Sequence, residues 1–185
     1  VPSKLRVRRW LHEVSEKKIS AQLLKDFFRY QLRAGLVGMW LWFTDGHLLP
    51  YTGKEKVHSG YSTQRRMPVA GRTNLVTCDS SGRIVDFEIQ EGKGDLRGYI
   101  VNLNKRWQDE LIEAPVQVFD REGYASEFFQ SLLENQVCFV TWEKYIDTDK
   151  LDAFAPEMFT ECFEFNGKTY RIFEGEKTFT HQFED

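Results

Sequence analysis

The sequence predicts an α/β domain built on a mixed β-sheet. Over residues 36–145, short apolar segments rich in β-forming residues alternate with amphipathic helical segments. A strong turn signal, Asp79-Ser80-Ser81-Gly82, separates two of the strands and predicts a hairpin. Hairpins pair strands antiparallel, whereas helical crossovers pair them parallel. We therefore expect three antiparallel strands, followed by parallel strands joined by helices.

Residues 1–35 are helical by their apolar periodicity. Ser20 is a suitable N-cap and Gly35 a natural stop. One face of this helix carries Leu23, Leu24, Phe27, Phe28 and Leu32. Residues 36–43 then form a continuous apolar strand, which we expect in the middle of a sheet that is covered on both faces.

The hairpin strands are residues 73–78 and 84–89, and a long polar connection, residues 46–72, precedes them. Asp95 is the expected N-cap of the next helix. The predicted buried face of that helix comprises Leu96, Tyr99, Ile100, Leu103 and Trp107.

The predicted parallel strands are residues 116–119 and 137–142, with a helix N-capped by Ser126 between them. That helix should bury Phe128, Phe129, Leu132 and Leu133. The five tryptophans are most simply core residues: Trp10, Trp40, Trp42, Trp107 and Trp142.

A second kind of segment begins after residue 145. Residues 160–165 and 168–173 alternate around Asn166-Gly167, the best hairpin signal in the chain. Because a hairpin is rarely stable alone, we expect it to open a β-rich element. The predicted organisation is a helical segment at 1–35, a core at 36–145 and the start of a β-rich insertion at 146–185.

Composition excludes several classes of protein. A hydrophobic content of 41% with 15% aromatic residues argues for a packed globular protein. No apolar stretch approaches the ~20 residues of a membrane helix. The three cysteines form no CxxC pair, which argues against a structural zinc site and for a reduced, intracellular setting. The net charge of −3 does not by itself indicate nucleic-acid binding.

Two aspartates, Asp45 and Asp120, each end an apolar run and precede turn-forming residues. A carboxylate at the end of a buried strand is costly to dehydrate unless a cation or donors compensate it. Two such carboxylates on neighbouring strands can share a hard divalent metal. The alternative is that each aspartate only caps the turn that follows.

The connection after Asp45 is basic and contains interleaved aromatic residues. Its cations are Lys54, Lys56, Arg65, Arg66 and Arg72, with Glu55 as the one acid between Tyr51 and Arg72. This mixture suits a phosphate backbone and splayed bases at a DNA end. A solvated loop explains the same residues, and the two interpretations stay open.

Two further features have simple structural interpretations. His47 lies two residues past Asp45, so strand alternation could place it on the same side, where it would contact a DNA phosphate or order a water. The simpler interpretation, which we favour, is a partly exposed residue at a strand end. Gly92-Lys93-Gly94-Asp95 suggests a phosphate cradle but lacks the spacing of a P-loop or dinucleotide fingerprint. We expect a tight turn there.

Four motifs, in this order, resemble the DDE transposases of insertion sequences, and within them the IS4-like group. They are Phe43-Thr44-Asp45-Gly46-His47, Pro50-Tyr51-Thr52-Gly53-Lys54, Val118-Phe119-Asp120-Arg121-Glu122-Gly123-Tyr124 and Phe139-Val140-Thr141-Trp142. The resemblance covers residues 36–145 and implies an RNase H-like fold, with a mixed five-stranded sheet flanked by helices. The predicted strand order is that of this fold.

The resemblance also implies the chemistry. Two Asp and one Glu hold two Mg²⁺ or Mn²⁺ ions, which support in-line displacement at phosphorus in DNA. Asp45 matches the first acid and Asp120 the second. The third acid of the family follows a β-rich insertion, so the matching Glu is expected past Asp185, and this chain would then be nearly inactive. Acids inside the chain are more simply solvated surface charges: Glu143, Asp147, Asp149, Asp152 and Glu157.

The expected function is therefore DNA strand cleavage and transfer at transposon ends by a bacterial, cytoplasmic protein that associates with the nucleoid when it acts. The expected partners are transposon-end and target DNA, with no membrane, and a homodimer is compatible with this role. Two alternatives stay open. The chain could be another RNase H-like nuclease, or an inactive transposase-derived module that binds DNA or another protein.

Overall fold

A computed structural model describes residues 2–17, 19–62, 65–111, 113–144 and 154–175 of the protein. The described helices are α1 Lys4–Glu16, α2 Ser20–Arg33, α3 Leu96–Trp107 and α4 Ser126–Glu134. The described strands are β1 Leu41–Pro50, β2 Ser59–Ser62, β3 Met67–Asp79, β4 Ile84–Glu91, β5 Val116–Phe119, β6 Phe139–Thr141, β7 Glu161–Phe165 and β8 Lys168–Ile172.

Six of the strands form one mixed sheet whose core order is β4-β3-β1-β5-β6. β1, β3 and β4 are antiparallel neighbours, and β5 and β6 run parallel to β1. This is the RNase H-like strand order, so the predicted fold class is confirmed. The predicted hairpin is β3–β4, and α3 and α4 are the predicted crossovers before β5 and β6.

The sheet has one strand more than predicted. The additional strand, β2, pairs with the first residues of β3. It lies on the same side of β3 as β4, which pairs with the later residues of β3. β2 falls inside the segment predicted to be a polar connection. β1 and β3 also extend well beyond the predicted strands and pair from Trp42–Asp79 to Pro50–Gly71. The long β1–β3 ladder gives this polar, Gly-containing segment backbone partners that its sequence does not indicate.

The core lies between the sheet and helices α2, α3 and α4, on one face of the sheet. One cluster joins Phe28 of α2 to Trp42, Val85 and Trp107. A second joins α3 and α4 to Leu75 and Phe119. The predicted face of α3 is buried as expected, and Asp95 caps the helix by accepting from the Gly98 amide at 3.0 Å.

The opposite face of the sheet is open in the part of the chain that the structure describes. Phe43 is 43% exposed and Val140 is 56% exposed, although both belong to central or parallel strands. The expectation that the first strand is covered on both faces is therefore wrong for this face. All the described helices that contribute to the core clusters pack on the side of Trp42 and Thr44.

Helix ends agree with the sequence in part. Gly35 has φ +63° and terminates α2, with its amide donating to Leu32 and the Leu36 amide donating to Gln31, which is a Schellman motif. Ser20 and Ser126 are wrong as N-caps, because each is the first helical residue and the caps are Ile19 and Ala125.

Several residues that the sequence assigns to the core are exposed. Trp42 and Trp107 are buried, whereas Trp10, Trp40 and Trp142 are exposed, as are Leu23, Phe27 and Leu133. Helix α1 has no buried residue. Apolar periodicity identified the helices correctly, but it does not show which apolar side chains pack against another element and become buried.

Two buried aspartates connect elements around this core. Asp79, 2% exposed, accepts from the Gly38, Ser81 and Arg83 amides and from the Ser81 hydroxyl, at 2.8–2.9 Å. Burial acts to raise its pKa, but these hydrogen bonds lower the pKa below its ordinary value. Asp86 accepts from Arg106 and from the Trp107 indole. Burial raises the pKa of Asp86, and the Arg106 charge offsets only part of this.

The C-terminal hairpin, β7–β8, forms as predicted. Asn166 and Gly167 have φ +50° and +70°, as a type I′ turn requires. Its strands are exposed and form a separate two-stranded sheet. In the described residues, no helix is long and apolar enough to cross a membrane.

Candidate functional site

Asp45 lies within β1 and not at its end, which corrects the sequence prediction. The strand continues for five residues beyond it because β3 runs alongside, with Asp45 opposite Val76. Trp42 and Thr44 are buried, whereas Phe43 and Asp45 are exposed. Since side chains alternate along a strand, Asp45 lies on the open face of the sheet.

Asp120 directly follows β5, as predicted, and its backbone is still extended. Val118 and Asp120 alternate with the buried Gln117 and Phe119, which places Asp120 on the open face as well. It precedes a 3₁₀-helix, Arg121–Gly123, and is the N-cap of that helix.

The register of the sheet brings the two aspartates level with each other. β1 and β5 are parallel neighbours, and their last pair is Thr44 with Phe119. Asp45 in β1 and Asp120 just after β5 are the next residues along the chain. Because neighbouring strands are about 4.8 Å apart, the two carboxylates start from adjacent backbone positions on the same face.

Each carboxylate uses one oxygen locally. Oδ1 of Asp45 accepts from the Gly46 amide at 2.8 Å, and Oδ1 of Asp120 accepts from the Glu122 amide at 2.8 Å. No hydrogen bond to the second oxygen of either carboxylate occurs within the described residues. The capping role that the sequence left open for Asp120 is thus real, and it leaves Oδ2 available to a further ligand.

A buried hydrogen-bond chain supports β1 beneath the site. The Thr44 hydroxyl lies 2.9 Å from that of Thr77, which donates to the Tyr99 hydroxyl at 3.2 Å. Burial raises the pKa of Tyr99. The chain connects β1 and β3 to α3, so the strand that carries Asp45 is fixed from the covered side.

The donor set suits a hard cation. Mg²⁺ is commonly held by one or two carboxylates, with waters and substrate phosphates completing its octahedron. Asp45 and Asp120 could supply those two carboxylates. No group of three or more His, Cys, Asp or Glu side chains that could hold a metal occurs in the described residues.

The candidate third acids do not extend this pair. Glu143 is half-buried just beyond β6, and Glu157 is exposed in the 3₁₀-helix Pro156–Met158. Asp147, Asp149 and Asp152 lie outside the described residues.

The predicted DNA-binding residues lie at the far end of the β1–β3 ladder. Lys54 and Lys56 are exposed between β1 and β2, and Arg65 and Arg66 are exposed between β2 and β3. Arg72 lies in β3, where it pairs with Glu55 at 3.2 Å and stacks over Tyr51 at 5.3 Å. His47 is exposed on β1, opposite Asn74.

Three further cations lie beside the turn that follows Asp120; sequence analysis interpreted Lys93 as part of a tight turn and singled out neither Arg97 nor Lys144. Lys93, Arg97 and Lys144 line one groove together with Glu122. They come from the β4–α3 connection, from α3 and from the segment after β6. Lys93 and Arg97 are only four residues apart, and the strand order brings Lys144 to the same edge of the sheet.

The solved structures to which the chain is weakly similar include two DNA-recombination assemblies. One is the simian T-cell lymphotropic virus intasome in complex with PP2A regulatory subunit B56 gamma, at 16% identity and a TM-score of 0.37, covering 63% of this chain and 39% of that chain. The other is the piggyBac transposase synaptic complex with hairpin DNA, at 16% identity and a TM-score of 0.43, covering 78% of this chain and 33% of that chain.

The chain thus spans well under half the length of either matched chain. Similarity this low does not indicate a family or a function for the chain. No protein-family model matches the chain, and no curated protein matches it.

Proposed function

We propose that this chain is the catalytic core of a DNA transposase of the DDE type, resembling the IS4-like group, which cleaves and transfers DNA strands with Mg²⁺ or Mn²⁺. The observation that carries the proposal is the parallel register of β1 and β5. It sets Asp45 and Asp120 side by side, on an RNase H-like sheet, within the two motifs that resemble those of transposases.

The proposed roles follow from exposure and hydrogen bonding. Asp45 and Asp120 would each offer Oδ2 to a divalent ion, while their Oδ1 atoms keep the carboxylates oriented through the Gly46 and Glu122 amides. A bound ion would supply charge stabilisation at phosphorus and activate the attacking oxygen. The exposed loop cations, Lys54, Lys56, Arg65 and Arg66, would bind DNA phosphates away from the reacting bond.

Mn²⁺ binding tests the metal site directly. We expect the 185-residue chain to bind Mn²⁺ in calorimetry, and Asp45→Asn and Asp120→Asn each to weaken binding by about tenfold or more, because one of two anionic ligands is lost. Asp109→Asn, an exposed aspartate after α3, is the matched control and should bind like the wild type. Unchanged affinity in both site variants would refute the assignment.

Strand cleavage separates the proposal from its alternative. Nicking of supercoiled DNA that requires Mn²⁺ and is lost in both site variants would support the enzyme. Binding of Mn²⁺ and DNA without nicking fits both a transposase-derived DNA-binding module and a two-carboxylate core without the third acid, so only nicking decides for the enzyme.

A further inference from the structure

A groove runs along the edge of the sheet where β5 and β6 end. One part of it, about 470 Å³, is lined by Lys93, Gly94, Asp95, Leu96, Arg97, Glu122 and Lys144. A second part, about 290 Å³, shares Lys93, Gly94, Leu96 and Glu122 with the first and continues past His47 and Tyr61. The shared residues make the two parts one continuous depression.

The groove has a small net positive charge. Three cations, Lys93, Arg97 and Lys144, face two acids, and one of those, Asp95, is engaged as the N-cap of α3. Arg97 donates to the Glu122 carbonyl at 3.4 Å. Lys93 and Lys144 make no ion pair within the described residues. A cleft with a net positive charge attracts a polyanion, and the ammonium groups of Lys93 and Lys144 are available to its phosphates.

The groove shares a wall with the candidate metal site. Glu122, which lines both parts of it, donates its amide to Oδ1 of Asp120. Thr141, three residues before Lys144, donates its hydroxyl to the Asp120 carbonyl at 3.0 Å. Asp120 lines neither part of the groove, but a chain of phosphates lying in it would pass beside the turn at 121–123, which Asp120 caps.

The loop that carries Lys93 is preorganised. The Thr73 hydroxyl donates to the Gly92 carbonyl at 2.6 Å and accepts from the Gly94 amide at 3.0 Å. The Asp95 amide donates to the Gln90 side chain at 2.7 Å. A Cβ on Gly94 would lie 2.6 Å from Thr73, so this loop packs tightly on β3. Lys93 is presented from a fixed backbone, which reduces the entropy lost on binding.

We propose that this groove binds the phosphate backbone of a DNA strand, with Lys93, Arg97 and Lys144 as the contacting cations, and leads it along the turn at 121–123 that Asp120 caps. The inference rests on the proposed function for the identity of the polyanion. It differs from the sequence prediction, which placed DNA only on the loop between β1 and β3.

The test is the salt dependence of duplex binding by the full chain, measured by fluorescence anisotropy. The groove variant carries Lys93→Gln, Arg97→Gln and Lys144→Gln. The control carries Lys17→Gln, Lys105→Gln and Lys168→Gln, an equal change of charge at residues outside the groove. We expect the slope of log K against log salt to fall by about 2 to 3 in the groove variant, at about 0.9 per lost contact, and to stay unchanged in the control.

Glu122→Gln changes the charge of the groove in the opposite direction, because it removes a negative charge. Removing this negative charge should tighten DNA binding at every salt concentration. The groove assignment would be overturned if the groove variant kept the wild-type slope, or if the control lost as much slope as the groove variant. It would also be overturned if the wild-type chain showed no salt-dependent DNA binding. Failure of the proposed function gives a different result: unchanged Mn²⁺ affinity in Asp45→Asn and Asp120→Asn while the groove variant still loses DNA.

Discussion

At the scale of single residues, similar aspartates have opposite roles because of their surroundings. Asp79 is buried and accepts four hydrogen bonds, so it holds the β3–β4 turn to the segment before β1. Asp45 is exposed and accepts one, from its own neighbour. A group whose charge is locally satisfied supports the fold, whereas one with an unused, exposed oxygen is available to a ligand.

This contrast predicts different effects of the same substitution. Asp45→Asn and Asp120→Asn should leave the free energy of unfolding unchanged within error in urea denaturation. Asp79→Asn should lower it by about 2–3 kcal/mol, because an amide replaces a buried ionised acceptor and sets its NH₂ against backbone donors. A large loss in Asp45→Asn would instead identify Asp45 as a structural residue.

The effect of Asp79 should also depend on pH. Hydrogen bonds lower its pKa in the folded state, so its contribution to stability is present above the unfolded value of about 3.8 and is lost as the pH falls through the folded pKa. The difference in unfolding free energy between wild type and Asp79→Asn should therefore shrink below about pH 4. A difference that is constant from pH 7 to pH 2.5 would contradict this.

Sequence reasoning found Asp45 and Asp120 because turn chemistry follows an apolar run at both. It could not find that β1 continues past Asp45, since Gly46 and His47 are poor strand signals and only pairing with β3 extends the strand. It also could not locate the groove, because Lys144 joins Lys93 and Arg97 only through the strand order.

At the scale of elements, local signals were reliable where backbone geometry required a particular residue. Gly35 and Asn166-Gly167 were correctly predicted because positive φ favours Gly and Asn. The predicted serine caps were one residue off, since Ile19 and Ala125 occupy the cap positions without a side-chain hydrogen bond. Residues 51–58, 65 and 66 remain loop or turn, but the strand between them, β2, had no local signal.

Gly35→Ala should destabilise the end of α2. The residue has φ +63°, and an L-residue with a Cβ pays a steric penalty there, so we expect a loss of about 1 kcal/mol in unfolding free energy. Nothing lies within 4 Å of the added methyl group, so the loss would reflect backbone conformation alone. An unchanged stability would show that the turn relaxes.

The loop cations should contribute to DNA binding separately from the groove. Replacing Lys54, Lys56, Arg65 and Arg66 with Gln should flatten the salt dependence of duplex binding, by up to about 0.9 per lost phosphate contact. Arg72 is left intact because its pairing with Glu55 and Tyr51 supports the loop. An unchanged slope would place the DNA elsewhere.

At the scale of the whole molecule, the sheet is asymmetric. Three helices cover one face, whereas the other exposes Phe43, Val140 and Ile89 among the described residues. Sheets with parallel strands are normally covered on both faces, and large exposed apolar patches bind other apolar surfaces.

This asymmetry predicts that the isolated chain binds a hydrophobic dye such as ANS while fully folded. Val140→Thr with Ile89→Thr should reduce the dye fluorescence without lowering the melting temperature by more than a few degrees, because both side chains are more than half exposed. Leu133→Thr, an exposed position on α4, is the control and should retain the dye signal. Dye binding that is equal in all variants would place the apolar surface elsewhere.

The unequal ends of β1 and β5 make the two aspartates mechanically different. Asp45 sits inside a ladder that continues to the Pro50–Gly71 pair, so its backbone cannot shift unless a ribbon of two strands shifts with it. Asp120 stands where β5 has already ended, on a turn held by the Glu122 amide and the Thr141 hydroxyl. The position of Asp45 is therefore fixed by the sheet, whereas the position of Asp120 depends on the conformation of one turn. Any change in the separation of the carboxylates would be taken up by the turn at 120–123, while Asp45 stays in place as the reference point.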